Sequence, residues 1–131
     1  MSQENVELVR RGIASADTFW ALLDEDVVLD TRNYPGLDIY GTPVVVGRKA
    51  VIDYTRPYWG TWNDYHLDAE ELFDAGTSVV GVVRERGRGK RGGVPFDRRW
   101  AQVWTFSRGR IIRWKHYTDK AEALEAVGLR E

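Results

Sequence analysis

Four runs of alternating side chains in the second half of the chain constrain its fold more than any other feature. Residues 65–73, 78–86, 96–106 and 110–118 are rich in β-branched and aromatic residues and read as strands. Asp74-Ala75-Gly76-Thr77, a Gly-rich basic loop from Arg86 to Gly93, and Ser107-Arg108-Gly109 separate them. Strands joined by such short turns pair antiparallel, so this half is a meander. The first half reads as helical. Val6, Val9 and Ile13 recur at the helical period behind Ser2 as N-cap, and Asp17 can cap a short second helix carrying Trp20 and Leu23. After the acidic turn Asp24-Glu25-Asp26 comes a short strand over 27–31, then a long loop over 33–47 that holds Pro35, Gly36, Gly41, Pro43 and Gly47. Val51, Tyr54 and Tyr58 predict a third helix over 48–59, which Pro57 should kink or end. Asp119 with Glu122 forms a capping box for a last helix, and Gly128 stands where a C-terminal glycine belongs. Helices followed by a meander give an α+β fold.

Composition narrows the function. At 131 residues, with 43% hydrophobic and 30% charged residues, the chain reads as a single globular domain over 1–131. No apolar stretch approaches a membrane span, and Met1-Ser2-Gln3-Glu4-Asn5 has no signal-peptide character, so a cytoplasmic protein is expected. A net charge of -1 argues against nucleic-acid or membrane partners. Without cysteine and with two histidines, the chain has little from which to build a metal site, and no cofactor is expected. Six Trp, six Tyr and four Phe are many for a core this small, so some should line a pocket.

Strand alternation sorts the side chains by face. Trp100, Gln102, Trp104 and Phe106 share the inner face of one strand, and Ile112, Trp114 and His116 that of the next. In 78–86 the face carrying Val80, Val82, Arg84 and Arg86 is favoured as inner. A histidine, an arginine and a glutamine among aromatic walls are what a small-molecule pocket needs.

Several segments, in order, carry a family resemblance: Ser2-Gln3-Glu4-Asn5-Val6-Glu7, Ala21-Leu22-Leu23-Asp24-Glu25-Asp26-Val27-Val28, Gly47-Arg48-Lys49-Ala50-Val51, Arg84-Glu85-Arg86-Gly87-Arg88-Gly89, Ala101-Gln102-Val103-Trp104-Thr105-Phe106 and Ile112-Arg113-Trp114-Lys115-His116-Tyr117. Together they resemble the SnoaL-like members of the nuclear-transport-factor-2-like superfamily, relatives of ketosteroid isomerases, polyketide cyclases and limonene epoxide hydrolases. The resemblance implies a cone-shaped α+β fold, with a curved antiparallel sheet wrapped around N-terminal helices, a deep pocket, and usually a homodimer. It does not fix the reaction. It implies that His116 occupies the last-strand position where cyclases and epoxide hydrolases place a catalytic aspartate. Arg84 is similar in placement to the arginine of the hydrolase triad, but Arg86 stands where that triad has its second aspartate. Thr31 and Gln102 correspond to the two aspartates of ketosteroid isomerase, and neither can replace the base.

The expected catalytic residues are His116, as the proton carrier near its ordinary pKa of about 6.5, Arg84, as a fixed charge, and Asp30, as a base or as the carboxylate orienting His116. Asp30 would point to the opposite face unless a bulge re-aims it. Substrate contacts are expected from Gln102, Thr31, Trp100, Trp104 and Trp114, with Trp59, Trp62 and Tyr40 at the mouth. The expected partner is a hydrophobic small molecule. Three functions fit: cofactor-independent acid/base catalysis of the isomerase, cyclase or dehydratase type on an apolar or polycyclic substrate; a non-catalytic binding protein; and an epoxide hydrolase. A packed structural histidine and a purely structural aromatic core are the plain alternatives.

Overall fold

The computed structural model describes residues 2–32, 44–60, 62–90 and 92–129. Helix α1 (Ser2–Ala14) buries Val6 and Val9, as its spacing dictates, and gives way within one residue to α2 (Ala16–Leu22). The cap of α2 is Ser15, not Asp17: Ser15 is in extended backbone and its hydroxyl accepts the N–H of Thr18. Strand β1 (Leu23–Asp30) follows at once and includes the acidic residues expected to form a turn, with a register shift between Leu23 and Val28 absorbing them. Strand β2 (Val44–Val46) replaces the end of the expected loop, its valines pairing antiparallel with residues 28–30 of β1. Helix α3 (Arg48–Gly60) runs through Pro57. Pro57 cannot make the i−4 hydrogen bond to Asp53, and because only residues 58–60 follow it the loss is confined to the end of the helix.

The meander is as expected in order, with β3 (Trp62–Ala75), β4 (Ser78–Gly89) and β5 (Pro95–Ser107) longer and β6 (Arg110–Tyr117) one residue shorter, followed by α4 (Lys120–Ala126). The basic stretch that starts at Arg86 is mostly strand, since Arg86, Gly87 and Arg88 pair with Asp97, Phe96 and Pro95. Asp119 caps α4 by accepting the N–H of Glu122, and Gly128 has φ +80°, the left-handed conformation of a helix C-terminus.

Among the described residues the strands form one six-stranded sheet in the order β2-β1-β6-β5-β4-β3. It is mixed rather than wholly antiparallel, because β1 lies parallel to β6. The long connection from β1 through α3 to the far edge of the sheet allows this sense. Each face of the sheet carries a buried cluster. Val79, Val83, Trp100, Trp104, Phe106 and Trp114 pack on the inner face with Val6, Val9, Phe19 and Trp20 of α1 and α2 and with Val51 of α3. Val80, Ala101, Val103 and Tyr117 pack on the outer face under Ala123 and Leu124 of α4. No helix among the described residues is long and apolar enough to cross a membrane.

Gly81 shows how tightly the inner face is closed. A Cβ there would lie 2.5 Å and 2.7 Å from two ring carbons of Trp104. Gly81→Ala is therefore expected to lower stability by about 1–3 kcal/mol, the usual range for overpacking a closed core. Urea denaturation checks this, and an unchanged midpoint would count against the indole lying over residue 81.

Candidate functional site

The pairing of β5 with its neighbours assembles the inner face. Gln102 stands opposite His116, and Trp104 opposite Trp114, so all four side chains share one face. His116 is buried, with the rings of Trp100 and Trp114 edge-on to it at 4.5 Å and 5.0 Å. Neither imidazole nitrogen has a hydrogen-bond partner among the described residues. Burial pushes its pKa down to about 3; the charge of Asp30 pulls it up and that of Arg98 lowers it. At neutral pH the ring is therefore uncharged and keeps one N–H and one basic nitrogen.

Gln102 is oriented by its neighbour. The indole N–H of Trp114 donates to Gln102 Oε1 at 2.6 Å. An indole only donates, so this contact fixes which end of the amide is oxygen and leaves the NH₂ group as a donor. Phe19 of α2 packs edge-on against Trp114 at 4.7 Å and supports it from the helix side. A cavity of about 430 Å³ lies between the α1–α2 junction and this face, lined by residues 12–16, Phe19, residues 65–68, Gln102, Trp104 and Trp114. His116 is not in that lining; it stands across the strand pair from Gln102, on the same face.

The structure places two expected catalytic residues off the inner face, Arg84 against its expected facing and Asp30 as regular alternation predicts. Because Val83 pairs with Trp100 and Gly81 with Gln102, the inner face of β4 carries Val79, Gly81, Val83 and Glu85. Arg84 is on the outer face, where its Nε and terminal nitrogen donate to the two oxygens of Asp97 at 2.9 Å and 2.5 Å. This pairing holds the Asp97 carboxyl below its usual value. Arg86 likewise faces outward and pairs with Asp68. Asp30 is fully buried but on the side of β6 that carries Arg113 and Lys115, away from His116. It accepts the backbone N–H, Nε and a terminal N–H of Arg32 at 3.0, 3.1 and 2.9 Å. Burial raises its pKa, but these hydrogen bonds and the charges of Lys115 and Arg32 outweigh burial and hold it at about 2. Both oxygens of Asp30 are thus occupied by donors, and it acts on His116 only through its field.

Ile112 is also misplaced by regular alternation. A register shift between Thr105 and Phe106 brings Ile111 into the core, opposite Phe106, and leaves Ile112 exposed. Thr31 is buried immediately after β1. Trp62 is half-buried against Phe96, with ring centroids 4.2 Å apart. Trp59 belongs to α3, but its side chain, like the whole of Tyr40, lies outside the described residues.

One inner-face group escapes sequence reasoning. Glu85 is fully buried; it accepts the hydroxyl proton of Tyr65 at 2.6 Å on one oxygen and the Nε–H of Arg98 at 2.8 Å on the other. The Arg98 guanidinium also lies over the rings of Phe96 and Trp100. The register Glu85↔Arg98 carries this arrangement, and the valines on both faces of β4 hide it from an alternation argument.

A buried imidazole with neither nitrogen paired lowers stability, and an apolar ring of similar shape avoids that penalty. His116→Phe is expected to keep or raise the melting temperature at pH 7. The folded-state pKa lies below the unfolded value of about 6.5, so no ionisation penalty applies above pH 6.5, and one grows as pH falls toward 3, because the unfolded chain binds a proton that the buried ring does not. Wild-type stability should drop by about 1.4 kcal/mol per pH unit through this range. The variant should lose that slope above about pH 4.5, before Asp30 titrates toward its pKa of about 2. Thermal melts across the pH range read both effects, and a variant as steep as the wild type would refute the assignment.

Among curated proteins none matches the sequence. Solved structures do. A protein of unknown function with this fold from Burkholderia pseudomallei is 21% identical, with TM-score 0.73 over 97% of each chain. A provisionally assigned SnoaL-like polyketide cyclase from Jannaschia sp. CCS1 is 17% identical, with TM-score 0.75 over 89% of this chain and 86% of that one. A Mycobacterium tuberculosis protein in complex with estradiol-17beta-hemisuccinate is 18% identical, with TM-score 0.67 over 85% and 88% of the two chains. Other relatives of this fold were crystallised with trimethylamine and with polyporic acid. Likeness at these identities establishes the nuclear-transport-factor-2-like, ketosteroid-isomerase-like fold. The SnoaL-like domain model matches residues 7–114, a span that contains every strand pairing described above except the end of β6, and the chain belongs to the SnoaL-like domain family.

Proposed function

We propose that the protein is a cofactor-independent enzyme that moves a proton at a carbon next to a carbonyl, in an apolar cyclic substrate, with His116 as the base. The observation that carries this reading is the uncharged His116, buried among tryptophans with both nitrogens unpartnered and with the Gln102 amide directly across the strand pair. Stability alone gives no reason to keep such a group.

The chemistry follows from what each side chain can offer. The basic nitrogen of His116 takes the proton from the α-carbon, and the pair of electrons left behind moves onto the carbonyl oxygen. The NH₂ of Gln102 donates to that oxygen as its negative charge grows, in surroundings where such a bond is stronger than in water. Burial disfavours a lone imidazolium, but here the imidazolium forms together with the enolate, so the site stays neutral overall. The Asp30 field favours the same charge. Return of the proton to another carbon completes an isomerisation; attack of the enolate carbon on a second carbonyl, followed by protonation of its oxygen, completes an aldol-type cyclisation. No step needs Arg84, which is held by Asp97 on the other face.

Epoxide hydrolysis loses its footing, since the arginine and carboxylate it invoked, Arg84 and Asp30, do not meet on the inner face. A non-catalytic binding protein is the second reading. It is favoured by the position of His116 outside the lining of the cavity.

Incubation with cyclic ketones in heavy water separates the two readings. Wild-type protein should catalyse deuterium uptake at the α-carbon, read by mass spectrometry. His116→Phe should abolish it, and Gln102→Leu should slow it about a hundredfold, the scale of losing one oxyanion donor. Tight binding of the same ketones with no exchange above background would favour the binding protein instead.

A further inference from the structure

Two polar groups on the cavity wall, Tyr65 and Gln102, are sorted into an acceptor and a donor by their partners. Tyr65 lines the cavity, and its only proton is directed to Glu85 at 2.6 Å. Glu85 is fully buried, and its second oxygen is held by Arg98, so the carboxylate is fixed in place. A phenol whose proton is committed in this way offers only lone pairs to a ligand. Gln102 lines the same cavity with the opposite polarity: its oxygen is taken by Trp114, and its amide N–H groups are what remain to be offered. The Glu85 carboxylate is offset by the Arg98 guanidinium and that of Asp68, also in the lining, by Arg86, and His116 is neutral. Of the other lining residues, Ser15 accepts the N–H of Thr18, Asp68 is paired with Arg86 and His66 adds an imidazole, while Ile13, Phe19, Leu67, Trp104 and Trp114 supply apolar surface.

We propose that the cavity selects hydroxy-ketones, ring compounds that carry a carbonyl read by the Gln102 N–H and a hydroxyl whose proton is accepted by Tyr65 Oη, with Glu85 and Arg98 as positioning residues. This rests on the cavity being a ligand site, and it names the class of molecule that either the enzyme or the binding protein would take. A ligand carrying an acceptor in place of the hydroxyl faces the lone pairs of Tyr65 and leaves a buried acceptor unpaired. Sites built to bond a hydroxyl discriminate strongly against analogues without one for this reason.

The test uses tetralone, hydroxy-tetralones with the hydroxyl at successive positions of the aromatic ring, and their methyl ethers, with binding followed by quenching of tryptophan fluorescence. At least one hydroxy-tetralone should bind wild-type protein tenfold or more tightly than its own methyl ether. Tyr65→Phe should bring that ratio close to one. Glu85→Gln gives a sharper readout. Arg98 can only donate, so it holds the amide oxygen and turns the new NH₂ toward Tyr65. The Tyr65 proton is then displaced toward the cavity, and the preference should invert in favour of the methyl ether. Loss of a merely structural contact weakens all ligands alike and inverts nothing. Equal binding of hydroxyl and ether by wild type, no binding of any hydroxy-tetralone, or unaltered discrimination in both variants would overturn the proposal. Heavy-water exchange on the same compounds keeps the outcomes apart. Selective binding without exchange sustains the hydroxy-ketone site and removes the enzyme, whereas exchange without selectivity does the reverse.

Discussion

The register of β5 against its two neighbours is the constraint on which the rest of the inner face depends. Toward β4 it sets Trp100 against Val83 and Gln102 against Gly81; toward β6 it sets Gln102 against His116 and Trp104 against Trp114. A slip of β5 by one residue would send Trp100, Gln102 and Trp104 to the α4 side. Gly81 helps to prevent it, because only a residue without a Cβ leaves space for the Trp104 ring. The same register places Glu85 beside Arg98, so one set of backbone hydrogen bonds fixes both the aromatic wall and its polar members.

Charge is segregated across the sheet. On the outer face, Arg84, Arg86 and Arg99 pair with Asp97, Asp68 and Glu70 at least partly in contact with water, and Asp30 gathers Arg32, Arg113 and Lys115 around it. On the inner face, the charges of Glu85 and Arg98 cancel, and His116 is uncharged at neutral pH. The low dielectric inside strengthens the hydrogen bonds that are made and penalises those that are missing. His116 and the Trp104 indole N–H bear that penalty among the described residues. The same conditions that make the Gln102 donor effective toward a ligand therefore make these unpaired groups a source of instability.

Much of this was legible from residue order. The amphipathic spacing of α1, the meander, the Asp119 cap and the inward set Trp100, Gln102, Trp104, Trp114 and His116 all follow from periodicity. The same periodicity misled at β4. Val79, Val80, Val82 and Val83 are buried whichever way the strand faces, because α4 covers the outer side as closely as α1 and α2 cover the inner. Alternation of polarity marks a half-buried strand only, so nothing local distinguished Arg84 from Glu85. Ile112 failed for another reason: the register shift near Phe106 adds a residue, and alternation cannot be counted across a bulge.

The sequence by itself determined the fold class, the family and which strand faces carry tryptophan, because these depend on short-range periodicity and on turns encoded within a few residues. Tertiary structure alone decided which charges are neutralised and where. Asp30 meets Arg113 and Lys115 through a parallel pairing with a distant strand, and Glu85 joins Tyr65 from β3 to Arg98 from β5. A carboxylate is a base, an anchor or a positioning group according to the donors around it. Those donors come from strands far apart in the chain, so the role of each acidic residue is set only when the sheet closes.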